Sequence, residues 1–138
     1  MSGIGTLIGN IQKEEISNIK IFPDDIRILL DENKDKQIFD AVKIICPDPW
    51  PKERHHKRRL INADFLKLLH NSIKADGNLY ISTDWADYAE SIKETLDQST
   101  YFESSKDFFL QKESLTKFEQ RGKDEGREIF EFNFQKKD

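Results

Sequence analysis

The sequence predicts an open α/β sheet, mostly parallel, with helices on both faces. Two observations carry this. Stretches with helical spacing alternate with short apolar runs along the chain. One of those runs, FDAVKIIC at residues 39–46, is almost continuously apolar, as a strand buried on both faces of a parallel sheet would be. A length of 138 residues suits one core, so residues 1–138 are read as a single domain.

The elements follow in order. Ile4, Leu7, Ile8 and Ile11 recur at i, i+3, i+4 and i+7, which predicts a helix over 4–15 ending near Ser17 and Asn18. NIKIF at 18–22 is β-rich and stops at Pro23, after which Asp24 or Asp25 is placed to cap a short helix carrying Ile26, Leu29 and Leu30. DENKDKQ reads as a surface loop, and the strand at 39–46 follows. Asn62 is placed to cap a helix whose Phe65, Leu66, Leu69 and Ile73 share a face, with Asp76-Gly77 ending it. NLYIST at 78–83 is the next strand. Thr83 or Asp84 then caps a helix containing Tyr88, Ile92 and Leu96, with Trp85 in the core. In REIFEFNFQ, Phe130, Phe132 and Phe134 alternate with other residues, the pattern of a final strand with unlike faces. Residues 112–126 lack periodicity and read as a mobile polar loop, either a connection or a lid.

Composition narrows the class. Hydrophobic residues make up 36% and charged residues 35%, but ten Phe and two Trp supply large surfaces to bury. The single cysteine, Cys46, excludes an intrachain disulfide and sits where a strand packs. No run approaches the ~20 apolar residues of a membrane helix, and MSGIGTLIGNIQKEE lacks the features of a signal peptide. A cytoplasmic protein with no membrane partner is expected.

Charge is distributed unevenly. Within PDPWPKERHHKRRLIN at 47–62, the eleven residues from Trp50 to Leu60 hold five cations against one acid, a net +4 in a chain of net -4, so the remainder carries -8. An isolated basic island on an acidic chain favours a polyanionic partner. In open α/β sheets ligands sit beyond the carboxyl ends of the strands. The three loops read at such ends, Pro23-Asp24-Asp25, PDPW and Thr83-Asp84-Trp85, each hold an acid. His55 and His56 are adjacent and no carboxylate or cysteine pattern completes a metal site, so no metal is expected. Gly3, Gly5 and Gly9 have the wrong spacing, and no preceding strand, for a dinucleotide loop.

The ordered set PDPWPKERHHKRR, STDW and LTKFEQRG resembles the bacterial tRNA (guanine-N7)-methyltransferases, along nearly the whole chain. The resemblance implies methylation of guanine in tRNA from S-adenosylmethionine, on a Rossmann-like class I methyltransferase fold. It implies that Asp48 is the catalytic and cofactor-proximal acid and that Asp25 also contacts the cofactor. It further implies that Lys52, Asp84, Thr116, Lys117, Phe118 and Glu119 bind substrate, within a substrate loop at 112–126. The glycine-rich cofactor segment that the family carries upstream has no counterpart here, so the resemblance is to the carboxyl-terminal portion and the fold is expected to be incomplete.

The chemistry is compatible with these residue types. Guanine N7 has an in-plane lone pair, so alignment is the main task, and a carboxylate such as Asp48 offsets the positive charge that develops on the purine. Asp84 or Glu119 would accept the N–H donors of the Watson–Crick edge. Arg54, Lys57, Arg58 and Arg59 would engage tRNA phosphates, and Trp50 and Phe118 are candidates to stack on a splayed base. Phe118 serves equally as an anchor for a lid. Two other functions compete: an RNA-binding remnant without a complete cofactor pocket, and a module that docks an acidic protein. An incomplete sheet also leaves strand edges open. NIKIF is therefore expected to repack on FDAVKIIC, or the chain to associate with itself or with a separate amino-terminal half.

Overall fold

A computed structural model describes the backbone of residues 2–14, 17–105 and 117–137, with the side chains of 2–6, 11, 117–119 and 122 outside that description. The elements are α1 (Ser2–Lys13), α2 (Ile26–Glu32), β1 (Phe39–Ile45), a 3-10 helix (Glu53–Arg58), α3 (Ala63–Ser72) and β2 (Ile73–Thr83). α4 (Ala86–Gln98), β3 (Phe102–Ser104), α5 (Lys117–Asp124) and β4 (Phe130–Lys136) follow.

The four strands form one sheet in the order β1-β2-β4-β3. β1 and β2 are parallel, with Val42 opposite Leu79 and Ile44 opposite Ile81. β4 runs antiparallel to β2, and β3 antiparallel to β4. The architecture is therefore α/β, as expected, but the sheet is mixed rather than mostly parallel. Alternation of helices and strands suggests crossovers, whereas residue periodicity does not encode the direction in which the last strand enters.

The core lies on one face of this sheet. Directly paired residues share a face, so Leu79, Ile81 and Phe134 stand together. They pack with Phe65, Leu66 and Leu69 of α3, with Tyr88, Ile92 and Leu96 of α4, and with Leu30 of α2. Burying each such side chain contributes roughly 1.5–3 kcal/mol. The opposite face carries a polar arrangement: the Tyr80 hydroxyl donates to Glu131 Oε1 at 2.7 Å, and Lys43 lies over the Tyr80 ring. Helices on both faces were expected. The described helices that join the core instead share one face.

Several local expectations change. NIKIF is not a strand and does not repack on β1; Ile19 and Phe22 are 45% and 40% exposed. A β-rich segment without a ladder partner does not hold strand geometry alone. β1 is an edge strand among the described residues, and none of its residues is fully buried. α1 forms, yet Leu7 and Ile8 on its apolar stripe are exposed. α3 stops at Ser72, and Asp76-Gly77 falls inside β2 rather than ending the helix, because Ile73 already pairs with Phe39. Residues 117–124 of the expected loop are helical, while 112–116 lie outside the described residues. No helix among the described residues is long and apolar enough to cross a membrane.

Candidate functional site

The parallel pairing of β1 and β2 brings their carboxyl ends side by side, with Ile45 opposite Ser82 and the Cys46 N–H donating to the Ser82 carbonyl at 2.8 Å. Two of the three acid-bearing loops leave from there. The Asp48 loop follows β1 and the Asp84 loop follows β2. The third, at Asp24 and Asp25, follows no strand, so it is not brought to this end by the sheet.

Asp48 is exposed at the top of β1, and its Oδ1 accepts the Trp50 N–H at 3.3 Å. The backbone on either side of it is unusual. Cys46 has φ 48° and Trp50 φ 40°, a left-handed conformation that costs a non-glycine residue on the order of 1–3 kcal/mol and persists only when neighbours enforce it. After Pro51 the chain turns into the 3-10 helix. Lys52, Arg54, Lys57 and Arg58 are exposed, and the Arg58 guanidinium lies 5.1 Å from the Trp50 ring centre. Arg59 differs from these four, being 5% exposed and bonded to Pro49 and Asp87.

Asp84 does not cap α4. Trp85 holds the N-cap position without a side-chain bond, and Thr83 Oγ1 accepts the Trp85 N–H. Asp84 instead pairs with Arg127, whose Nε lies 2.8 Å from Oδ2. Arg127 Nη1 also reaches Glu125 Oε2 at 2.6 Å, and Glu125 accepts from Arg121 on α5. Acid and base thus alternate from the end of β2 to α5. Hydrogen bonds from Arg127 first, then Arg121, hold the Glu125 carboxyl below its ordinary value. Asp84, and next Glu125, raise the Arg127 guanidinium. The indole Nε1 of Trp85, partly buried against the core, has no hydrogen-bond partner among the described residues.

Lys117, Phe118 and Glu119 open α5, and Thr116 lies outside the described residues. Asp25 caps α2, its Oδ1 accepting the Arg27 N–H at 2.9 Å, while the Arg27 guanidinium takes both carboxylate oxygens. That pairing with Arg27 lowers the Asp25 carboxyl below the usual aspartate value.

The cofactor implied by the resemblance can be tested against these residues. A cleft of about 290 Å³ at the strand ends is lined by Cys46, Pro47, Pro49, Asp84, Trp85, Arg121, Glu125 and Arg127. This lies just under the range of roughly 300–1,000 Å³ typical of ligand pockets. Neither Asp25 nor Asp48 lines it, and both Asp25 oxygens are occupied by Arg27. The described residues of this cleft do not form a cradle for a whole S-adenosylmethionine.

Arg127, Glu125, Asp87 and Tyr88 shape this end of the sheet, and sequence reading assigned none of them to the site. Asp87 reads as a first-turn helix acid and Arg127 as one of many exposed cations. Their partners are 28 and 43 residues away, respectively. No local signal marks them.

Comparison with known proteins agrees with the motif reading. Residues 1–132 match a sequence model of the family described as "Putative methyltransferase". A tRNA (guanine-N(7)-)-methyltransferase of Nitrosomonas europaea is 42% identical over 135 residues, covering 96% of this chain and 60% of that protein. Proteins of the same name from Nitrosospira multiformis and Nitrosomonas eutropha are 38% and 41% identical, covering 98% and 97% of this chain. The chain spans about 60% of the length of these relatives. On the match over residues 1–132, this chain belongs to the methyltransferase family that the model describes.

Proposed function

We propose that this chain supplies the acceptor side of a tRNA (guanine-N7)-methyltransferase, on a Rossmann-like sheet, with S-adenosylmethionine as the methyl source that such a family implies. One observation carries the reading. An exposed carboxylate, Asp48, stands at the end of β1, and four exposed cations, Lys52, Arg54, Lys57 and Arg58, follow it within ten residues. The cations engage phosphates of the tRNA backbone, which brings a guanine to the strand ends. N7 needs no base to release its lone pair, so these residues position the ring. The Asp48 carboxylate then offsets the positive charge of the alkylated purine. Asp84, released from Arg127, accepts from the N–H donors of the Watson–Crick edge. Lys117, Phe118 and Glu119 at the start of α5 contact the base in this reading. The names of the relatives support the substrate, and the alternating ion pairs that tie α5 to the end of β2 support the place.

The test uses unmodified tRNA transcript and S-adenosylmethionine labelled in the methyl group. Filter binding at several salt concentrations reads association with tRNA, and chemical cleavage at N7-methylguanine reads transfer. Retention that weakens as salt rises is expected of this chain alone, and cleavage at a guanine is expected when the remaining 40% of a relative's length, beyond the 60% this chain spans, is supplied with it. Retention without label even then would leave an RNA-binding protein only. Absence of salt-dependent retention would reject the tRNA reading altogether. Asp48→Asn is expected to keep the binding and to lower transfer about a hundredfold.

A further inference from the structure

Arg59 ends the basic run, yet it faces inward. Its Nε–H donates to the Pro49 carbonyl at 2.7 Å, and its Nη2 donates to Asp87 Oδ2 at 2.6 Å. The guanidinium lies 4.8 Å from the centre of the Tyr88 ring, and the Tyr88 hydroxyl in turn accepts the Ile61 N–H at 3.0 Å. One side chain therefore joins the loop after β1 to the first turn of α4. That loop is short and bent. Asp48 sits between the left-handed residues Cys46 and Trp50. The Cys46 N–H, held by Ser82, fixes one end of the loop, and the Pro49 carbonyl, held by Arg59, fixes the other.

We propose that Arg59 is a positioning residue: braced against Asp87, it sets the direction of the Asp48 carboxylate and contributes no charge to RNA binding. This rests on the reading of Asp48 as the group beside the acceptor base. The physical reasons are direct. A cation releases phosphate counterions only when it meets the phosphate, and Arg59 is 5% exposed with two donors already used inside the protein. A fork-shaped guanidinium can hold a carbonyl and a carboxylate at once, whereas a lysine presents a single point charge. A small misplacement of a group beside the reacting atoms is enough to slow transfer strongly.

The experiment compares Arg59→Met, Arg59→Lys and Asp87→Asn with the exposed variant Arg54→Ala. Hydrogen exchange over residues 46–52 needs neither RNA nor cofactor. It is expected to quicken about tenfold in Arg59→Met, less in Arg59→Lys, and less again in Asp87→Asn, which keeps the Pro49 bond. The slope of log binding against log salt for tRNA is expected to fall by about one in Arg54→Ala and to stay at the wild-type value in Arg59→Met. Transfer by Arg59→Met is expected to lose about tenfold or more in kcat with KM for tRNA unchanged. Should Arg59→Met fail to fold, the Asp87→Asn exchange comparison carries the test. The proposal is overturned by a salt slope that falls in Arg59→Met as it does in Arg54→Ala, or by unchanged exchange over 46–52 in both Arg59→Met and Asp87→Asn. A wild-type chain that binds no tRNA would sink the functional reading instead, and the exchange comparison would still decide the brace.

Discussion

The Nε–H of Arg127 donates to Oδ2 of Asp84 across 2.8 Å, linking the segment just before β4 to the end of β2. Asp84 is only 20% exposed, so losing the guanidinium leaves it poorly compensated. Arg127→Gln is expected to melt at a lower temperature than the wild type, with the gap narrowing as sodium chloride rises from about 0.05 to about 1 M. Thermal melts at both salts check this; equal midpoints at low salt would mean the pair is energetically silent.

Acid should weaken the fold. Hydrogen bonding from Arg59 holds the Asp87 carboxyl below its ordinary 3.8, as Arg27 does for Asp25, and Arg127 holds Glu125 below 4.5. A carboxyl with a depressed folded value stabilises the protein above its unfolded value, and that contribution is lost as pH falls through the folded value. The urea midpoint is expected to stay level from about pH 7 to 5 and to drop below about pH 4. Asp87→Asn should drop less steeply than the wild type, as urea titrations across that range would reveal.

Burial pushes the Tyr88 phenol above its ordinary 10.0, so its neutral form is part of the folded state. The sign is opposite to that of the acids: this stability is complete below pH 10 and disappears as pH rises through the raised value. Spectrophotometric titration should find the Tyr88 phenol ionising above its ordinary value, with Tyr88→Phe removing that step. Tyr88→Phe leaves the buried Ile61 N–H without its acceptor and is expected to cost about 1–3 kcal/mol in urea unfolding.

Gly77 has no room for a side chain. A Cβ there would collide with Ile73 Cγ2 and stand 2.8 Å from the Lys74 carbonyl and 2.9 Å from that of Asp40. Two of the three neighbours are backbone and cannot swing aside. Gly77→Ala is expected to destabilise the protein by about 1–3 kcal/mol, whereas Gly9→Ala, which meets nothing within 4 Å, should not. Denaturant midpoints of the two variants provide the comparison.

The sequence was most legible where one periodicity matched one burial pattern. Phe65, Leu66 and Leu69 on α3, Tyr88, Ile92 and Leu96 on α4, and the alternating phenylalanines of β4 were all placed correctly, and the Asn62 cap accepts the Phe65 N–H as expected. Strand identity failed where a ladder partner was needed, as in NIKIF, because β propensity describes fit to neighbours rather than to the chain itself. The expectation of a mostly parallel sheet gave way to a mixed one because the direction in which β4 enters depends on its partners. In the candidate site, Asp48 and the four cations Lys52, Arg54, Lys57 and Arg58 form a local run, and their exposure agrees with that reading. The inward turn of Arg59 was not readable, since it depends on Asp87 and Tyr88 across the fold.

The strand order β1-β2-β4-β3 also has a temporal meaning. β4, at Phe130–Lys136, is synthesised after the other described strands, yet it lies between β2 and β3 and is β3's partner in the described sheet. While the chain grows from its amino end, β2 therefore presents an open edge, and β3 has no neighbour among the described strands, until Phe130–Lys136 arrives. Arrival of Phe130–Lys136 covers that edge of β2, and a nascent chain stalled short of Phe130 would expose the Leu79 and Ile81 strand to any other chain able to pair with it.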